Sequence, residues 1–145
     1  MSEPSQRPLL TDEPPEAWKI PEVPSYRTEQ IRQWVYEKGV LDFDAMTNLP
    51  AGLRLKLTDE WDLRPMEQVR VQGSVDVTRK FLWRLRDGQF IESVLIPATL
   101  GRDGNRASRL TLCVSTQVGC ALGCKFCASG LDGLKRNLST GEIVG

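Results

Sequence analysis

All four cysteines of this 145-residue chain fall between positions 113 and 127, and three of them form one tight motif. Cys120-Ala121-Leu122-Gly123-Cys124-Lys125-Phe126-Cys127 has the form CxxxCxxC and follows a short apolar strand across a loop at 115–119. Three thiolates on one bend can ligate three corners of a cubane iron–sulfur cluster, which leaves the fourth iron open for a chelating substrate. Gly119 and Gly123 let the backbone turn around such a cluster, and Phe126 can shield one flank as a cofactor-binding side chain. Lys125 either tunes the cluster charge or points to water. Two other uses of the thiols stay open at this point. A structural zinc site would take Cys113 as fourth ligand, although zinc sites usually join two separated hooks. A disulfide framework fits poorly with a chain that opens without a secretion signal pattern.

Composition narrows the chemistry further. The chain has no histidine, which removes Ser-His-Asp and Cys-His catalysis and every His-ligated metal site. No run of 18 apolar residues exists to span a membrane, and the expected compartment is the reducing cytoplasm. Nineteen basic and nineteen acidic side chains balance overall, yet residues 1–24 carry a net −3 and residues 73–145 a net +4. A positive second half is compatible with an RNA or phosphate ligand and equally with a solvated surface.

The elements that must position the cysteines follow from periodicity. Six of the nine prolines lie in residues 1–24, so that stretch reads as a disordered tail, with Trp18 in a loosely packed linker. Ile31, Trp34, Val35 and Lys38 have helical spacing, with Gly39 just past the end. Phe43 and Met46 suggest a helical turn. Pro50 suits a first helical position, and Leu53, Leu57 and Trp61 make one apolar stripe. From Met66 the period changes to two: Phe81, Trp83 and Leu85 alternate with neighbours that include Arg84 and Arg86. Asp87-Gly88 is a hairpin turn, and residues 90–96 return as the partner strand until Pro97. Residues 99–108 read as a loop around Gly101, Gly104 and Asn105, and Leu110 to Val114 as a short strand. Taken alone, Cys113 is a small buried strand residue, Glu92 an outward-facing acid on a half-buried sheet, and Arg136 and Asn137 either RNA contacts or loop structure.

CxxxCxxC with an aromatic before the last cysteine resembles the radical S-adenosylmethionine signature. The runs Leu112 to Cys120, Gly133 to Leu138 and Gly141-Glu142-Ile143 make it similar to the dual-specificity RNA methyltransferases that methylate C2 of adenine in large-subunit (23S) ribosomal RNA and transfer RNA. Tyr26-Arg27, Gln33 to Val40, Phe43 to Leu49, Arg79 to Leu85 and Ile91 to Val94 resemble the same family, so the likeness covers about residues 25–145. It implies an α+β fold: a disordered tail at 1–24, a helical accessory RNA-binding domain at 25–65, a β-hairpin and linker region at 66–108, and the first strand-loop-helix unit of a radical-enzyme partial (β/α) barrel at 109–145.

The resemblance also implies roles. Cys120, Cys124 and Cys127 would hold a 4Fe-4S cluster that binds and cleaves S-adenosylmethionine. Carbon 2 of adenine is too electron-poor to attack a sulfonium methyl group, so a radical route through a methylated protein cysteine is implied. Glu92 matches the family's general base. Cys113 matches the resolving cysteine, which forms a transient disulfide with a cysteine absent from these residues. Implied partners are ribosomal and transfer RNA and a flavodoxin-like reductant protein. A partial barrel of about six units needs roughly 30 residues for each, and only 35 run from Thr111 to Gly145. The expectation is therefore an N-terminal piece that is inactive alone, its missing barrel portion supplied elsewhere or lost. Two other readings remain: a non-catalytic RNA-binding remnant holding zinc or nothing, and a related enzyme that methylates adenine C8.

Overall fold

In the computed structural model, which describes residues 7–74, 77–98 and 109–145, the chain divides into two units. One unit is Met1–Pro65 with Ser139–Gly145, and the other is Met66–Leu138. The chain thus has the mixed helix and antiparallel-sheet character expected of α+β.

In the first unit, α1 spans Ser25–Arg32 and begins where Pro24 sets an extended ψ and its carbonyl accepts the N–H groups of Arg27 and Thr28 at 2.9 and 3.2 Å. It runs on as one wider turn over Gln33–Glu37, closed by Lys38 N–H to the Gln33 carbonyl at 3.1 Å. Gly39, at φ +63°, then reverses the chain so that Val40 N–H can reach the Trp34 carbonyl at 2.9 Å. Ile31 and Val35, four residues apart, face inward. A 3-10 turn at Phe43–Ala45 buries Phe43, and α2 follows at Ala51–Glu60. Pro50 caps α2 rather than opening it, one position earlier than its sequence suggested. Leu57 is fully buried, with Leu53 and Trp61 packed against the same core.

The disordered tail expected at 1–24 is corrected over its described part, residues 7–24. Leu10, Trp18 and Ile20 belong to the same buried cluster as Ile31, Phe43, Met46 and Leu57. Leu10 N–H bonds to the Asp62 carbonyl at 3.0 Å, and Asp62 N–H to that of Pro8 at 2.9 Å. Trp18 Nε1 donates to the Glu13 carbonyl at 2.9 Å, so its polar edge is satisfied while its rings are covered. The prolines leave only short 3-10 turns, Leu10–Asp12 and Pro15–Ala17, but they also reduce the entropy lost when such a segment docks through its side chains. The short helix α3, Thr140–Val144, carries a capping box between Ser139 and Glu142, and Gly141 N–H donates to Asp12 Oδ1 at 3.0 Å.

The second unit is an antiparallel sheet in the order β1-β2-β3-β4, formed by Met66–Gln72, Arg79–Leu85, Phe90–Pro97 and Leu110–Val114. Asp87-Gly88 makes the β2–β3 turn, with Gly88 at φ +81°. One face of the sheet is apolar: Trp83 and Phe81 stack at 5.8 Å, and Leu85 and Ile91 are buried. β4 is an exposed edge strand, paired antiparallel to β3. Part of the loop read at 115–119 is instead strand: β5, Gln117–Gly119, pairs with β6, Leu134–Asn137. Three residues are too few to show an alternation. The loop expected at 99–108 lies outside the described residues. Among the described residues no helix is long and apolar enough to cross a membrane.

The docking of residues 7–24 has a direct test. Trp18→Ala is expected to destabilise the helical unit by about 3 kcal/mol, the usual cost of deleting a buried tryptophan, read by urea denaturation. A change near zero would mean the segment does not pack.

Candidate functional site

The cysteine triad sits on a loop closed by its own two-stranded stem. Residues 120–133 leave β5 and return through β6, with Gln117 opposite Asn137 and Val118 opposite Arg136. Gln117 Nε2 donates to Asn137 Oδ1 at 2.7 Å, and Leu138 N–H to the Thr116 carbonyl at 2.9 Å. At the mouth of the loop Cys120 N–H donates to the Gly133 carbonyl at 3.3 Å. Gly119 makes this possible: it has φ +76°, and a Cβ there would fall well inside the contact distance of the same Gly133 oxygen. Inside the loop, Cys127 N–H bonds to the Cys124 carbonyl at 3.0 Å, and Gly130 N–H to the Cys127 carbonyl at 3.2 Å. These bonds shape the loop as successive tight turns.

The stem is anchored to the sheet. Val118 and Leu138 form one buried cluster with Leu85 and Ile91, with Met66 and Trp83 against it. Arg136 ties β6 to the β2–β3 turn, its Nε 2.7 Å from Asp87 Oδ2. Burial pulls the Asp87 carboxyl upward, but the Gln89 N–H, the Arg136 guanidinium and its own backbone N–H outweigh that. The group ends below its ordinary range. Arg136 and Asn137 thus do structural work in the stem, one of the two roles their sequence allowed.

All four cysteines are free thiols; Cys120, Cys124 and Cys127 are half-buried and Cys113 is exposed. Exposure corrects the reading of Cys113 as a small buried strand residue: β4 is an edge strand with nothing over it among the described residues. Cys113 lies opposite Val94, and Glu92 lies two residues along β3 on the same face, so the sheet makes them diagonal neighbours. Glu92 is exposed and paired with Lys80 Nζ at 2.8 Å, and its carbonyl accepts Ser115 Oγ at 2.7 Å. Phe126 is 93% exposed, and Leu122 and Leu131 of the same loop are exposed too, so the loop offers apolar side chains to solvent. The structure brings Glu92 and Cys113 together but does not join them to the triad, whose stem packs on the opposite, apolar face.

The donor set fits an iron–sulfur cluster by its chemistry: three free thiols, spaced by three and two residues, on one glycine-hinged loop pinned at its base. Among the described residues no three Cys, Asp or Glu side chains stand gathered for a metal ion, so binding would draw the thiols inward. Sequence reasoning missed the Gly119–Gly133 contact and the Asp87–Arg136 tether. Asp132-Gly133 is a turn signal of the same type as Asp87-Gly88 and could have marked the return strand.

Two glycine variants separate the stem from the loop. Gly119→Ala is expected to cost about 2 kcal/mol or more, through positive φ and the carbonyl clash together, and to speed hydrogen exchange at the Cys120 amide. Gly123→Ala, with φ +57° and open space around it, costs only the left-handed penalty of about 1 kcal/mol. Equal effects in thermal unfolding would show that the close approach is not what holds the stem.

Comparison with known proteins bears on this arrangement. Residues 21–62 match the family described as ribosomal RNA large subunit methyltransferase N-terminal domain. The chain is 54% identical over 120 residues to a probable dual-specificity RNA methyltransferase RlmN of Akkermansia muciniphila, across 83% of this chain and 33% of the relative. Against the dual-specificity RNA methyltransferase RlmN of Campylobacter jejuni it is 46% identical over 127 residues, 84% of this chain and 36% of that one. The crystal structure of a radical SAM methyltransferase from Sphaerobacter thermophilus superposes with a TM-score of 0.70 at 48% identity, over 83% of this chain and 33% of that one. The chain is therefore similar to part of the dual-specificity RNA methyltransferases and spans about one third of the length of the relatives it matches.

Proposed function

We propose that these residues are the N-terminal part of a radical S-adenosylmethionine enzyme that methylates C2 of adenine in 23S ribosomal RNA and in transfer RNA. The observation that carries the reading is the loop at 120–133, with three free thiols at CxxxCxxC spacing above a glycine-clamped stem. The similarity of the surrounding chain to dual-specificity RNA methyltransferases supports it.

Cys120, Cys124 and Cys127 would hold a 4Fe-4S cluster, and Phe126 would cover one flank. When bound, such a cluster supplies the electron that cleaves S-adenosylmethionine. The chain's own residues then have separate tasks. Glu92, held by Lys80 on the open face of the sheet, would take the proton from adenine C2 through its carboxylate. Cys113, exposed on the edge strand, would use its thiol to form a transient disulfide with a cysteine outside these residues and so release the methylated base. β4 with the cysteine loop would be the first unit of a partial barrel, and the helical accessory domain would assist RNA recognition. The setting would be cytoplasmic, with a flavodoxin-like protein as reductant. Residues 1–145 alone are expected to transfer no methyl group.

Anaerobic reconstitution with iron and sulfide tests the reading. A brown chain with about four irons is expected. Cys120→Ser, Cys124→Ser and Cys127→Ser should each abolish the colour, whereas Cys113→Ser should keep it. A colourless chain with stoichiometric zinc would instead support a structural metal site on a non-catalytic RNA-binding protein.

A further inference from the structure

The charge of the chain is sorted between its two units. Met66–Leu138 carries eleven basic and six acidic side chains, a surplus of five. The helical unit carries eight basic and thirteen acidic, a deficit of five. A polyanion is therefore attracted to the sheet unit and repelled by the other.

Within the sheet the register sorts the cations again. Arg70 pairs with Leu82, which pairs with Glu92; Lys80 pairs with Val94, which pairs with Cys113; Arg84 pairs with Phe90. Directly opposed residues share a face, so Arg70, Lys80 and Arg84 project beside Glu92 and Cys113 in three rows about 7 Å apart. The other face carries Phe81, Trp83, Leu85 and Ile91 and takes the stem of the cysteine loop. All three cations are exposed, and Phe90, at the end of the Arg84 row, is 53% exposed. Arg70 has no ion pair among the described residues, and Lys80 and Arg84 hold only exposed pairs with Glu92 and Glu67. Such pairs are weak and exchange readily for phosphate.

We propose that substrate RNA lies across this polar face, with phosphates on Arg70, Lys80 and Arg84 and an unpaired base stacked on Phe90. A phosphate that takes Lys80 also releases the Glu92 carboxylate, so the candidate base is uncovered as RNA arrives. The proposal rests on the reading of the chain as part of an RNA methyltransferase, and it locates the RNA on the sheet rather than on the helical accessory domain.

Fluorescence anisotropy of a labelled RNA stem-loop with adenines in its loop, titrated with the 145-residue chain over a salt series, tests it. Arg70→Gln with Arg84→Gln is expected to weaken binding at least tenfold. It should also flatten the slope of log K against log salt by about 1.5, near 0.7–0.9 for each lost phosphate contact. Phe90→Ala should weaken binding about tenfold with the slope unchanged, since stacking releases no counterions. Arg79→Gln on the other face and Lys38→Gln on the helical unit should leave affinity as it is. Arg70 has no ion pair among the described residues, so Arg70→Gln alone gives the same reading with a smaller change should the double variant unfold. Unchanged affinity in the polar-face variants, or a loss on Lys38→Gln instead, would overturn the proposal while RNA binding itself stood. A parent chain with no RNA affinity at low salt would overturn it together with the reading beneath it.

Discussion

One backbone approach governs the cysteine loop: the Gly133 carbonyl lies where a side chain at position 119 would have to be. With glycine there, the two ends of a fourteen-residue loop close on a single point, and Cys120 N–H fills the acceptor. Closure of a long loop is entropically costly, and the stem meets that cost with strand pairing and with Val118 and Leu138 buried against the sheet. The half-buried thiols thus stand on a base held by strand pairing and packing against the sheet. Tight turns inside the loop supply the local curvature, and its exposed apolar side chains remain on the outside.

The sheet does different work on its two faces. Its apolar side carries the stem, so the position of the cysteine loop is tied to Leu85 and Ile91. Its polar side carries Glu92 and Cys113 among cations, on adjacent strands and diagonal to one another. Strand alternation alone produces this division, because a register fixed by the Asp87-Gly88 turn sends every second side chain to the opposite surface. The Asp87–Arg136 pair then links that turn to β6, so one short hairpin orients both the paired residues and the loop stem.

Much of this was legible because it is local. The helical spacing of Ile31 with Val35 and of Leu53 with Leu57, the alternation of Phe81, Trp83 and Leu85, and the turn at Asp87-Gly88 depend on neighbouring residues, and the elements stand where those patterns put them. The CxxxCxxC motif is likewise visible in one line of sequence. What escaped was non-local. A proline-rich composition does not reveal that Leu10, Trp18 and Ile20 find Ile31 and Leu57, since that depends on complementary surfaces far along the chain. The β5–β6 pairing joins residues as far apart as Gln117 and Asn137 through a three-residue strand with no pattern of its own. The exposure of Cys113 follows from β4 being the sheet edge, a fact of topology that an apolar run cannot express.

Mössbauer spectroscopy of the anaerobically loaded chain, enriched in iron-57, tests the central claim most directly. Three thiolate-bound irons and one iron of different parameters, the latter altered by added S-adenosylmethionine, are the expected result. Four equivalent irons indifferent to that addition, or iron not assembled into a cubane at all, would contradict the assignment of Cys120, Cys124 and Cys127 as three ligands around an open corner.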